Sequence, residues 1–126
     1  VVFVEKEGLC VKTIEKNIAA LGFGEKAKVL KADVLGGLKW LEHFAEYKGF
    51  DLVFMGPPYR TVENLPLSYS YETLRLLAEA GIANPGAVIV CQHHKKEDVP
   101  VPAGLEHTRQ EKYGDTLVDF YRPLKK

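Results

Sequence analysis

The chain has 126 residues, 46% hydrophobic and 27% charged, which suits one domain spanning 1–126 and is too short for two. That composition excludes a disordered chain and a disulfide scaffold. Lys plus Arg equals Asp plus Glu at 17 each, so this is not the basic protein expected of a free-standing nucleic-acid binder, and any RNA or DNA contact must use a local patch or a part outside this sequence.

Taken in chain order, residues 1–4 (Val-Val-Phe-Val) read as a buried strand. It starts at full hydrophobicity without a Met, which points to a fragment of a longer domain. Residues 10–21 place Val11, Ile14, Ile18 and Leu21 at the helical period, and Gly22 is a fitting stop. Residues 27–30 predict a short strand and 34–47 a second helix, with Leu35, Leu38, Leu41 and Ala45 on one face and Trp40 in the core. Residues 51–55 predict a third strand that runs into Gly56-Pro57-Pro58-Tyr59.

Residues 63–80 predict a helix in their second half, followed by a turn at Asn84-Pro85-Gly86. A fourth buried strand is expected over 87–91 and a polar loop over 93–103. Two strands at 105–113 and 116–121 form a hairpin around Gly114-Asp115. Strands alternating with helices imply an α/β fold with a parallel sheet covered on both faces. Ligands bind beyond the carboxyl ends of such strands. That rule selects Glu5, Asp33 and 56–59 and expects them at one edge of the fold.

The residue types at those positions suit a nucleoside. A carboxylate at a strand end, as at Glu5, can accept from two vicinal ribose hydroxyls; the plainer alternative is a solvated strand-end glutamate. Asp33 can accept from an adenine amine or cap the helix that begins at Val34. In Gly56-Pro57-Pro58-Tyr59 the prolines stiffen the backbone and remove two donors. That leaves carbonyls free for a planar amine beside an aromatic face, a way to grip a nucleobase. The alternative is a plain loop with a core tyrosine.

Other candidates read more simply. Cys10 and Cys91 have no metal-like spacing and are expected as buried reduced thiols. His93 and His94, with His43 and His107, are expected as exposed histidines and not as ligands, so no metal is expected. Lys95-Lys96 and Lys125-Lys126 are solvated pairs or phosphate contacts. No apolar run spans a membrane and no signal peptide is visible, so a soluble cytoplasmic protein without a membrane partner is the expectation.

Val-Phe-Val-Glu at 2–5, Ala-Asp at 32–33, Phe-Asp-Leu-Val-Phe-Met-Gly-Pro-Pro-Tyr at 50–59 and Lys-Tyr-Gly-Asp-Thr at 112–116 together resemble the RsmD family of bacterial rRNA methyltransferases. The resemblance covers essentially the whole chain. It implies a Rossmann-like class I methyltransferase sheet, mostly parallel with a C-terminal antiparallel hairpin. The first strand and Gly-rich loop of the family would be missing. It implies S-adenosylmethionine as cofactor and transfer of its methyl to the exocyclic N2 amine of a guanine in small-subunit rRNA. Ribosomal RNA or the small subunit would be the partner.

By the same resemblance Glu5 binds the cofactor ribose, Asp33 with the Val34 backbone holds the adenine, and Lys6 flanks it. Pro57 and Pro58 present carbonyls to the guanine amine, and Tyr59 stacks on the base. The family usually has Asp or Asn where this chain has Gly56, so the side-chain acceptor for the amine is missing from this catalytic segment. A non-catalytic member that serves as a binding or scaffolding module, self-associating through its incomplete sheet, is the alternative expectation.

Overall fold

Among residues 1–45, 48–56 and 69–124, which the computed structural model describes, six strands, two α-helices and two 3₁₀ segments follow one another. They divide into two compact units, Val1–Gly37 and Leu38–Lys126.

In the first unit, β1 (Val2–Glu5) pairs in parallel with β2 (Lys28–Lys31), Val2 opposite Lys28 and Glu5 opposite Lys31. The two strands are joined by helix α1 (Gly8–Leu21). On α1 only Val11 is buried; Ile14 and Ile18 are half-buried and Leu21 is exposed. Gly22 ends the helix in the left-handed region at φ 73°, with its N–H on the Ala19 carbonyl and the Phe23 N–H on that of Ile18. That bond pair is a Schellman stop. Cys10 is exposed, not buried as expected: it neighbours Val11 in sequence but sits about 100° away around a 3.6-residue helix.

The second unit holds a four-stranded sheet in the order β3-β4-β6-β5. Its strands are β3 (Phe50–Met55), β4 (Ala83–His94), β5 (Leu105–Tyr113) and β6 (Thr116–Pro123). β3 runs parallel to β4, while β4–β6 and β5–β6 are antiparallel. Parallel pairing thus covers β1–β2 and β3–β4, and the hairpin folds back so that its second strand, β6, lies against β4. Helix α2 (Tyr69–Ala80) packs on β4. Leu74 and Leu77 from the helix are buried, as are Ala87, Ile89 and Cys91 at alternate positions of β4 and Tyr121 of β6. Each such large aliphatic side chain contributes roughly 1.5–3 kcal/mol by leaving water.

Four expectations change. The described part of the predicted helix 34–47 is not one α-helix. Val34–Gly36 and Lys39–Ala45 are separate 3₁₀ segments, broken at Gly37, whose φ of 105° no right-handed helix allows. Leu38 and Leu41 are buried as the periodicity requires, but Trp40 is 39% exposed, with its ring edge-on to Phe44 at 5.8 Å. The Asn84-Pro85-Gly86 turn falls inside β4, as an irregularity between the pairs Phe50–Ala83 and Leu52–Val88. Asn84 Nδ2 donates to Asp51 Oδ1 at 2.9 Å across it, and Gly86 takes φ 84°. Finally, β4 continues through His93 and His94, which the sequence assigned to a loop. Among the described residues no helix is long and apolar enough to cross a membrane.

Candidate cofactor and target-base sites

In the first unit the parallel register puts Glu5 and Lys31 at the carboxyl ends of neighbouring strands, with Asp33 two residues further on. The Ala32 N–H donates to the Glu5 carbonyl at 3.0 Å, which ties the segment leading to Asp33 to the end of β1. Glu5 is half-buried, and its Oε1 accepts from the Glu7 N–H at 3.1 Å. Asp33 Oδ1 accepts from the Leu35 N–H at 2.9 Å and so caps the 3₁₀ segment that starts at Val34. One oxygen of each carboxylate is engaged locally and the second has no described partner. Two acceptors at adjacent strand ends fit the hydroxyls and amine of an adenosine. Lys6 is exposed and Val34 half-buried beside them.

In the second unit β3 ends at Met55, opposite Cys91, so Gly56 stands at the carboxyl end of the parallel pair β3–β4. Gly56 is exposed. Among the described residues a Cβ built there meets only the Phe54 ring, at 3.6 Å, and no positive φ requires glycine. Nothing described beside Gly56 excludes an aspartate or asparagine side chain there. Pro57, Pro58 and Tyr59 lie outside the described residues, as do Lys125 and Lys126.

A polar cluster absent from the sequence reading lies next to this strand end. His93, expected as an exposed loop residue, is 2% exposed, and its Nε2 is 2.5 Å from Asp119 Oδ2. His93 Nδ1 is 3.0 Å from the His94 carbonyl oxygen. Both ring nitrogens therefore face oxygen atoms. The other carboxylate oxygen, Oδ1, receives His107 Nε2 and Gln110 Nε2, each at 2.8 Å.

Burial pushes the Asp119 carboxyl up, but hydrogen bonds from His93, His107 and Gln110 outweigh it and hold the group below its ordinary range. Both imidazole Nε2 atoms are committed to the carboxylate, and no group of three His, Cys, Asp or Glu among the described residues could hold a metal ion. The signal that locates His93 was present: it continues the inward alternation Ala87, Ile89, Cys91 by one step. A polar cleft of about 300 Å³ opens beside the cluster, lined by His93, Lys95, Lys96, Glu97, Gln110 and Asp119 among others.

The sequence family described as "Conserved hypothetical protein 95" matches residues 1–122. The chain is 28% identical over 124 residues to "Putative rRNA methyltransferase YlbH" of Bacillus subtilis, covering 96% of this chain and 62% of that protein. It therefore spans less than two thirds of that relative's length. Among solved structures it is similar to "Putative methyltransferase yhhF" from Escherichia coli, with TM-score 0.74, 23% identity and coverage of 99% of this chain and 64% of the other. It is also similar to the rRNA methyltransferase aviRa from Streptomyces viridochromogenes, with TM-score 0.56, 22% identity and coverage of 88% and 44%. At these identities the structures speak for the fold, which is that of class I methyltransferases.

Proposed function

Because the chain belongs to this family, the RsmD family, we propose that it is the catalytic portion of an S-adenosylmethionine-dependent methyltransferase acting on the N2 amine of a guanine in small-subunit rRNA. The observation that carries the reading is the pair of strand-end carboxylates, Glu5 and Asp33, joined through the Ala32–Glu5 hydrogen bond and each with an oxygen to spare. The cofactor supplies a methyl group on a sulfonium sulfur. Glu5 holds its ribose hydroxyls, while Asp33 and the Val34 backbone hold its adenine, flanked by Lys6.

Gly56, Pro57 and Pro58 offer carbonyls to the guanine amine and Tyr59 stacks on the base. The amine nitrogen would form its new N–C bond as the sulfonium S–C bond breaks to leave a thioether, and it would lose its proton to water, so its acceptors have to be in place beforehand and positioning does most of the work. At Gly56 the acceptor is backbone alone. A missing oriented acceptor of this kind weakens transition-state stabilisation by about 3 kcal/mol, so the expected turnover is slow. Such a protein acts in the cytoplasm, where ribosomal subunits are assembled.

Calorimetric titration with S-adenosylmethionine tests the cofactor assignment: weak but measurable binding is expected, and Glu5→Ala abolishes it. Equal affinity in the variant removes Glu5 from the site. With labelled cofactor and small-subunit rRNA, digestion to nucleosides should place the label on N2-methylguanosine, and label on another base overturns the specificity.

A second feature favours self-association. β3 is bordered by β4 on one side and by no described strand on the other, and it leaves Leu52 and Phe54 69% and 66% exposed. We propose that two copies meet at this strand.

A further inference from the structure

The β5–β6 turn rises at the same end of its sheet as Gly56. Met55 is opposite Cys91 in the parallel pair, and His94 is opposite Thr116 in the antiparallel one. The carboxyl ends of β3 and β4 and the hairpin tip therefore share one rim. The tip is fastened there: the Lys95 N–H donates to the Asp115 carbonyl at 2.8 Å and Lys95 Nζ pairs with Asp115 Oδ1 at 2.9 Å. Gly114 turns the chain at φ 62°.

On this fixed rim Tyr113 is 66% exposed, a large aromatic face presented to solvent. Lys96 and Lys112 are exposed and enter no ion pair among the described residues. The neighbouring carboxylates are mostly engaged: Asp115 with Lys95, Glu111 with Arg109, and Glu97 with the Ser70 N–H and hydroxyl. Asp98 remains exposed on the adjoining loop. The rim thus combines an exposed π face with lysines that enter no ion pair among the described residues, the pairing used by surfaces that hold single-stranded nucleic acid.

We infer that this rim, Tyr113 with Lys96 and Lys112, is a contact surface for the RNA substrate. Tyr113 stacks on an unpaired base near the target, and the two lysines meet phosphates. The inference rests on the reading of the chain as an RNA methyltransferase. In the order β3-β4-β6-β5, three strand spacings separate Gly56 from Tyr113, about 14 Å at ~4.8 Å each. A stacked strand rises ~3.4 Å per nucleotide, so the base on Tyr113 lies roughly four nucleotides from the base at Gly56. The rim would therefore select substrates with a single-stranded flank beside the target guanine.

Fluorescence anisotropy of a labelled single-stranded RNA carrying an internal 2-aminopurine tests this on the whole chain, over a salt series. Tyr113→Ala should weaken binding roughly 5- to 150-fold, the range of one base–aromatic stack, and relieve the quenching of 2-aminopurine. Tyr113→Phe should keep both within about twofold. Lys96→Gln with Lys112→Gln should lower the slope of log K against log salt by about 1.4, at ~0.7 per phosphate. These positions are exposed, so the variants fold. If the unaltered chain binds the RNA and Tyr113→Ala binds it equally well, the rim is not the contact, while the methyltransferase reading stands. If the unaltered chain binds no RNA at low salt, both fall, and S-adenosylmethionine titration in parallel shows whether the cofactor half survives.

Discussion

Asp119 gathers hydrogen bonds from three side chains in the second unit. It sits on β6, almost wholly buried, and receives His93 from β4 and His107 and Gln110 from β5. One carboxylate thus ties three strands together below the strand end that Gly56 continues. Asp119→Ala would leave the buried His93 ring without its partner. Leaving a buried polar group without its hydrogen-bond partner costs about 1–3 kcal/mol, expected as a lower urea midpoint at neutral pH. The pH dependence has a definite sign. The folded carboxyl is held below its ordinary value. Its contribution is therefore complete above about pH 4, the unfolded value, and is lost as pH falls through the lower folded value. The gap in midpoint between the unaltered protein and Asp119→Ala should hold down to about pH 4 and close below it. A gap that persists in strong acid would show that the carboxylate charge is not what stabilises the cluster.

Helix α2 begins with a cap supplied from far along the chain. Glu97 accepts from the Ser70 N–H and from the Ser70 hydroxyl, both at 3.0 Å, across 27 residues. A carboxylate there satisfies an otherwise unpaired N–H and meets the positive end of the helix dipole. Glu97→Ala should lower unfolding free energy by about 1 kcal/mol and weaken hydrogen-exchange protection in the first turn of α2; an unchanged midpoint would remove the capping role. Periodicity made α2, α1, the hairpin and the Gly22 stop legible, because each depends on residues close in sequence. The cap was not legible, since nothing local to Ser70 points to Glu97. The His93–Asp119 pair was half legible: alternation along β4 places His93 inside, but its partner is set by the β4–β6 register. The 3₁₀ segments were misread because the apolar spacing of Leu35, Leu38 and Leu41 suits either helix type, and Gly36-Gly37 decided between them. Strand-end positions of Glu5, Asp33 and Gly56 follow from the alternation of strands and helices, and their residue types suit a nucleoside, whereas the particular cofactor and target base assigned to them came from resemblance.

At the scale of the whole molecule the unusual surface is β3. A strand in a parallel pair is ordinarily buried on both faces, and edge strands are commonly protected by charge, proline or a bulge. Here β3 bears one charge, Asp51, already bonded to Asn84. Leu52 and Phe54 project on one face, beside the exposed Val88 that Leu52 pairs with. A net charge of zero supplies no long-range repulsion to keep copies apart. Sedimentation velocity should therefore show a concentration-dependent rise in mass, little changed by salt because apolar contact drives it. Leu52→Lys with Phe54→Lys places two cations where the strands would meet and should weaken association at least about tenfold, or ~1.4 kcal/mol. Both positions are exposed, so the folded content read by circular dichroism should stay the same. A chain that remains monomeric at every concentration would reject pairing through β3, and the same result from the double variant alone would support it.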